Sequence, residues 1–353
     1  MKIKLKFIGI AALISLVLPS LAATCQWNKN GGGKIDEADN WSALPTEADL
    51  AYFRYTQTDS LTLDNDMTVG IIRFGSSGAA NSSFKGTLAL GAGKTLAATN
   101  MLFYAASEVT LSSGILKLNA GSGAGRIRLG DGLNVTNEVN KLIVTGTDSH
   151  LETADSVYLD VGYVIGRNVV SIENGGSFTG SVFVASRAIS TNNIIRVTGS
   201  GSTLTVPSTA TTAPVLGVSG SGNVLEILDG GKVLFDLSGK TFTIGSSNNY
   251  GAGSNNWVRV SGSGSSFEDK TTLYVGYASK ANFNGLAVED GATATLGSAL
   301  YIANNANSVS NRVVVSGSGS TLTVGGNPYI GAKDKSGCDG NSLEVGGSPI
   351  FEA

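Results

Sequence analysis

Histidine occurs once in 353 residues, cysteine twice and proline six times, and only 14% of the chain is charged. Each scarcity excludes something. With His150 alone, imidazole triads and multi-histidine metal sites are hard to assemble. Cys25 and Cys338 are singletons, so no paired-cysteine metal or redox motif is present. Net charge is −3, with no basic stripe. Nucleic acid is thereby excluded as an expected partner, since its phosphates call for clustered Lys and Arg. Beyond the first residues no apolar run is long enough for a membrane helix. Charge falls well below the roughly 25% of ordinary domains. Glycine is the abundant residue, 48 in all, about double its usual share. Mean hydropathy is slightly positive, which separates the chain from disordered low-complexity sequences.

The first residues have the layout of a secretory signal. Lys2, Lys4 and Lys6 precede the short apolar run Phe7 to Leu18, which Pro19 ends. Ser20-Leu21-Ala22 or Leu21-Ala22-Ala23 supplies small-residue cleavage sites. Residues 1–23 are expected to be removed on export, with no transmembrane helix left in the mature chain. Ala22-Ala23-Thr24-Cys25 matches a lipid-attachment box only weakly, because Thr precedes the Cys.

The dominant signal is a repeat. Asn140, Asn168, Asn193, Asn223, Asn256, Asn284, Asn311 and Asn341 each head a strand-like segment. An aliphatic residue follows two places on (Leu142, Val170, Ile195, Leu225, Val258, Leu286, Val313, Leu343), and a β-branched one two places later. Period-2 alternation marks a strand, and a recurring unit of this size marks a solenoid. A second segment centres on one apolar residue, as at Leu151, Phe178, Leu204, Val233 and Phe267. A third reads apolar-x-apolar-small, as in Leu273-Tyr274-Val275-Gly276. Three short strands per coil with glycine corners predict an all-β fold, a right-handed three-sided parallel β-helix. The first corner alternates between Thr/Ser-Gly and Asn/Asp-Gly forms, so the true repeat is a pair of coils. The Asn shares the inward face of its strand, and a buried amide must be hydrogen-bonded. Stacked amides can satisfy one another, so the eight form a predicted structural ladder.

Residues 59–139 show the pattern in degraded form. The expected Asn slots there hold Asp59, Gly86 and Ser107, and Leu102-Phe103-Tyr104-Ala105 is taken as a third strand with Phe103 outward. Residues 24–58 do not fit and are expected to cap the rod, with Trp27, Trp41, Tyr52 and Phe53 covering its first coil. Residues 140–353 are the regular coils, the last one incomplete. Cys25 and Cys338 then lie at opposite ends, too far apart for a bridge, which needs Cα atoms within about 7 Å.

The opening Trp27-Asn28 … Asn40-Trp41 … Pro45 … Asp49 … Phe53 resembles that of bacterial autotransporter-like passengers. The Val-Ser-Gly-Ser-Gly-Ser-x-Leu … Val-Gly units resemble the repeat associated with type V secretion and PEP-CTERM proteins. The resemblance covers nearly all of the mature chain. It implies an exported β-helix displayed on the outer surface of a bacterial cell, with no catalytic residues. A translocator barrel or sorting segment, which such proteins often carry, is not found before Ala353, so further sequence or another cap is expected beyond it.

Several motifs invite chemistry. Leu90-Gly91-Ala92-Gly93-Lys94-Thr95 looks like the end of a phosphate loop, yet Leu88 stands where the motif needs Gly, and the coil register makes Gly93 a corner. Gly121-Ser122-Gly123-Ala124-Gly125 lacks the βαβ context of a dinucleotide site. No nucleotide, metal or other cofactor is expected. The best enzymatic candidate is the acidic first regular coil, Asp148, Glu152, Asp155 and Asp160, with Arg126 and Arg128 before it. The competing reading pairs Arg128 with Asp160 as a plain ion pair. Arg196, Glu226 and Arg259 form a second outward charge column. The outward slot of the third strand ends in Tyr274, Tyr301 and Tyr329, a surface suited to a glycan or a cell-surface protein, though stacking alone also stabilises strands. Short corners, except at Pro207 to Pro214 and Ser246 to Asn255, favour a structural or adhesive module without catalysis. The alternative is a polysaccharide-binding or polysaccharide-degrading β-helix.

Overall fold

The computed structural model describes residues 22–352 except 30, 77–82, 120–124, 132–138, 238, 249–250, 332–335 and 348–349. Residues 1–21 of the expected export signal and Gly121 to Ala124 lie outside the described residues, as do 249–250 of the longer corner.

Alternating strands with glycine corners build a three-sided parallel β-solenoid. Strands of the first face run from Gly33–Lys34 to Ser342–Gly346. Those of the second run from Met67–Thr68 to Ile350–Glu352. The third face is a 12-stranded sheet from Thr24–Gln26 to Pro328–Ile330. Corresponding strands of successive coils pair in parallel, residue against residue, as Leu225 with Val258 and Val258 with Leu286. Among the described residues the one helical element is the 3-10 turn Ala38–Asn40. A single buried core runs the length of the stack, with inward columns from each face, such as Leu225, Val258 and Leu286 beside Ile227, Val260 and Val288 on the first.

The amide ladder is continuous from Asn140 to Asn341. Each Nδ2 donates to the Oδ1 of the next coil, at 2.9 Å from Asn140 to Asn168 and 2.7 Å from Asn223 to Asn256. From Asn168 onward the backbone N–H donates to the same oxygen. Second Nδ2 hydrogens go to corner groups such as Ile165 O and Ser190 Oγ. The residue after each third strand turns toward this column with positive φ and is Gly or Ala, as at Ala185 and Ala303. Gly276 has φ +77, and a Cβ there would lie 2.5 Å from the Asn311 amide.

A second interlock explains the two-coil period. Ser202, Ser265 and Ser320 are buried at the Thr/Ser-Gly corners. Their Oγ atoms accept from Gly175 N, Gly230 N and Gly291 N, the Asn/Asp-Gly corners of the preceding coils, at 2.9–3.0 Å. In return Thr198 and Ser261 hydroxyls donate to Asp229 and Asp290 on the following coils. Asn174, Asp229 and Asp290 all adopt positive φ, 51–55°, which Asn and Asp tolerate better than most residues. The two corner types are complementary, so they alternate.

Three expectations about the amino-terminal part need correction. First, residues 24–58 are not merely a cap, because Thr24–Gln26 and Leu50–Phe53 are the first two strands of the third face. Trp27, Trp41 and Phe53 are buried there, with the Trp rings in edge contact at 5.1 Å, whereas Tyr52 lies outside beneath Arg73. Second, Leu61 aligns with Leu88, and Gly86 with Val109. Phe84 and Ser107 therefore hold the ladder slots of the two coils before Asn140, not Gly86; Asp59 is exposed, and Gln57 N donates to Lys85 O, which sets Gln57 beside Gly86. Gln57 is used by Trp27 Nε1, which donates to its Oε1. The Phe84 ring fills the room of the next inward side chain, since a Cβ on Gly86 would come within 2.8 Å of it. Ser107 N joins the ladder by donating to Asn140 Oδ1. Third, Met101 and Phe103 align with Ile127 and Leu129, so Phe103 is inward and Leu102 takes the outward slot. The ring at Phe103 continues an internal column with Phe53 and Phe74, at 5.1–5.3 Å.

Candidate partner-binding face

The third face carries the exposed groups that have chemistry. Its outward column runs Tyr52, Arg73, Leu102, Arg128, Asp160, Phe183, Val215, Thr243, Tyr274, Tyr301 and Tyr329. Two clusters stand on it, one at each end.

Near the carboxyl-terminal end, parallel register places Tyr274, Tyr301 and Tyr329 one above another. Their rings stack at 4.8 and 4.6 Å with interplanar angles of 13° and 10°, close to the ~4.8 Å between strands. Tyr277, from the following corner, meets Tyr274 edge-on at 5.1 Å. Burial, with the neighbouring Tyr301 and Tyr277 adding to it, raises the Tyr274 hydroxyl above the usual tyrosine range. Because each ring's flat side meets the next ring, the column offers a partner mainly ring edges and hydroxyls. Tyr329 is 43% exposed.

The other cluster interleaves arginine with tyrosine. Arg73 lies over Tyr52 and Tyr104, at 5.3 and 5.7 Å. Arg126 lies over Tyr158 at 4.9 Å, and Arg128 over Tyr163 at 4.3 Å. Arg187 meets the same Tyr163 ring at 5.5 Å. Tyr163 comes from the corner after Gly162, which folds back over the arginines of the preceding coil. The sequence pairing of Arg128 with Asp160 is half right. Their backbones are in register, but Arg128 Nη1 approaches Asp131, at 3.5 Å, and Arg126 is the guanidinium facing Asp160, at 4.0 Å. Asp160 is fully buried despite its outward slot, and its oxygens accept from Ser186 Oγ at 3.0 and 3.1 Å. Burial pushes its carboxyl up to about 7, against the opposing pull of Ser186 and the two arginines. Tyr104 donates to Asp131 at 3.1 Å, and burial together with that carboxylate raises it to about 12.

The other sequence candidates are not gathered. Asp148 is exposed at the first corner. Glu152 pairs with Lys117 on the second face at 3.5 Å. Asp155 accepts from Thr209 Oγ1 at 2.6 Å, which pins the Pro207 to Pro214 corner. With Asp160 on the third face, these four carboxylates form no common site. Arg196 and Glu226 make a 2.7 Å ion pair on the first face, and Arg259 is aligned beside Glu226. Gly91 to Lys94 is a corner turn, and the strand Thr95–Ala98 follows it where a phosphate loop needs a helix. Cys25, buried in the first third-face strand, and Cys338, beside the last ladder Asn, are both free thiols. Among the described residues no three His, Cys, Asp or Glu side chains gather as a metal site would, and no helix is long and apolar enough to cross a membrane.

Sequence reasoning missed the tyrosines of the arginine cluster. Tyr104 and Tyr163 sit in corner segments outside the strand pattern, and only the arginines carried a register signal. It also missed the corner serines, although their letters recur at a fixed nine residues after Asn140, Asn193, Asn256 and Asn311.

Fold and face together define a parallel β-solenoid with an aromatic and cationic third side. No protein-family model matches the chain, and no curated protein matches it. Among solved structures it is similar to a TibC-catalysed hyper-glycosylated TibA55-350 fragment, with 13% identity and a TM-score of 0.33 over 94% of this chain and 100% of that one. At that score, the fold rests on this chain's own strand register.

Proposed function

We propose that the chain is an exported, non-catalytic rod on a bacterial cell surface, which works in adhesion or display by presenting its third face. The observation that carries this reading is the unbroken stack itself. Twelve strands on that face, at ~4.8 Å each, make a stiff element roughly 50 Å long. Its aromatic groups project outward near both ends. The dispersal of Asp148, Glu152, Asp155 and Asp160 over separate corners and faces supports a role without catalysis. The autotransporter-like opening and the lysine-led apolar start of the sequence support export.

The partner expected at the tyrosine column is a glycan or a cell-surface protein, met by ring edges and hydroxyls. Replacing Tyr274, Tyr301 and Tyr329 together by Ser should abolish cell or glycan binding and leave the β-rich circular dichroism spectrum unchanged. Binding that survives removes the tyrosine column from the proposal. Turnover of any polysaccharide by the purified chain would overturn the non-catalytic reading.

A further inference from the structure

We infer that the amino-terminal part of the third face binds an acidic polysaccharide, whose sugar carboxylates are held by the forked guanidinium groups of Arg73, Arg126 and Arg128. This rests on the third face being the presented one, as proposed above, and is independent of the tyrosine column.

The charge is locally inverted. The chain as a whole carries −3, yet this stretch sets Arg73, Arg126 and Arg128 against Asp131 and Asp160. Asp160 counts for less than a full charge, because it is buried and its carboxyl titrates near neutrality. Asp131 is shared between Arg128 and the Tyr104 hydroxyl. Positive charge therefore remains unneutralised on the surface.

The guanidinium groups are also pre-positioned. Tyrosine rings lie against Arg73, Arg126 and Arg128 at 4.3–5.9 Å. A guanidinium fixed against a ring loses less freedom on binding, and its planar fork matches a planar carboxylate. The side chains of Arg126 and Arg128 remain 24% and 25% exposed.

Spacing selects a polymer. Arg73, Leu102 and Arg128 occupy one outward column on successive coils, so the two arginines are roughly 10 Å apart along the rod. Leu102 between them, with Tyr104 beside it, gives an apolar step on which the C–H side of a sugar ring can rest. A chain of uronate residues laid along the axis meets guanidinium, apolar step and guanidinium in turn. Nucleic acid would call for a denser basic surface than this one.

The test uses the whole chain and polygalacturonate, with neutral dextran and polyglutamate as controls. Polygalacturonate should bind, more weakly as salt rises, and dextran should not. Arg126→Gln with Arg128→Gln should weaken binding by more than about tenfold. Arg128→Lys, which keeps the charge but loses the fork, should cost most of its share of that effect. Arg73→Gln lies away from buried Asp160 and should still lower affinity severalfold, which keeps the test decisive if the double variant misfolds. The Tyr274→Ser, Tyr301→Ser, Tyr329→Ser protein should bind polygalacturonate as the parent does. Failure to bind polygalacturonate at low salt, or equal binding by the folded arginine variants, overturns the site. Polyglutamate binding equally well overturns the polysaccharide as ligand. Loss of polygalacturonate binding in the tyrosine variant alone would move the site to the other cluster and leave the proposed display function standing.

Discussion

The two halves of the rod solve the same packing problem with different chemistry. From Asn140 onward, the slot where the third strand turns into the first is filled by an amide that hydrogen-bonds to the coils on either side. Before Asn140 the same position holds Phe84 and Ser107, and aromatic volume takes over. Trp27, Trp41, Phe53, Phe74, Phe84 and Phe103 contact one another at 5.0–5.9 Å through that end. Rings tolerate irregular coils, because dispersion and burial do not demand register. Amides demand it, because a buried donor displaced from its acceptor is costly. Regularity in the second half is the condition for using hydrogen bonds inside a core.

If this contrast is correct, the deepest damage follows loss of ring volume in the first half. Phe84→Ala should destabilise by about 3–5 kcal/mol, since Gly86 and its surroundings leave nothing to refill the space. A denaturation midpoint within error of the parent would show that the aromatic column is incidental. In the second half, Asn256→Ala should cost about 2–3 kcal/mol, because it strands the two Asn223 donors and leaves Asn284 Oδ1 with only the backbone N–H of residue 256. If an exposed Asn such as Asn28 proves equally sensitive, the ladder has no special energetic role.

A third probe is pH. Asp269 is a fully buried carboxyl in an inward column, between Phe235 and Leu296. Its Oδ1 accepts from Thr271 N at 2.9 Å, and its Oδ2 has no partner. Burial raises it to about 6, above its unfolded value, against the pull of the Thr271 hydrogen bonds. The folded state therefore holds the proton more tightly. Stability is greatest below about pH 4 and falls as pH rises toward about 6, by on the order of 2 kcal/mol for this group. Asp160, raised to about 7, extends the decline toward neutrality. Asp269→Asn should flatten the lower part of the slope in urea titrations at pH 4 and pH 6. A parent protein that grows more stable across this interval would contradict the assignment. The smallest effect belongs to the outer charge column. Glu226→Ala should change stability by less than about 1 kcal/mol despite its 2.7 Å contact with Arg196, and a larger loss would mean that this face is not free.

The same contrast explains what the sequence made legible. Asn followed by two inward aliphatics is a distinctive string, and eight copies locate the strands and their register together. Upstream, Phe84 and Ser107 share a position but no chemistry, so Gly86 looked like a better match than Phe84. Strands of two residues, such as Gly33–Lys34, carry no periodicity at all. On the third face the arginines were visible, but two of the tyrosines that hold them, Tyr104 and Tyr163, arrive from corner segments whose placement depends on backbone turns. Asp160 was read as an outward ion-pairing group, and only the overlying corner reveals that it is buried.

The interlocking corners also impose a parity on the molecule. An Asn/Asp-Gly corner supplies the N–H that the serine of the next coil accepts, and a Thr/Ser-Gly corner supplies the hydroxyl that the following Asp accepts. Excising one coil, such as 256–283, would bring two corners of the same kind face to face and deprive Gly230 of Ser265. Excising two, 256–310, restores the match. Among the regular coils, the interlock is thus preserved only when length changes in steps of two coils, about 10 Å.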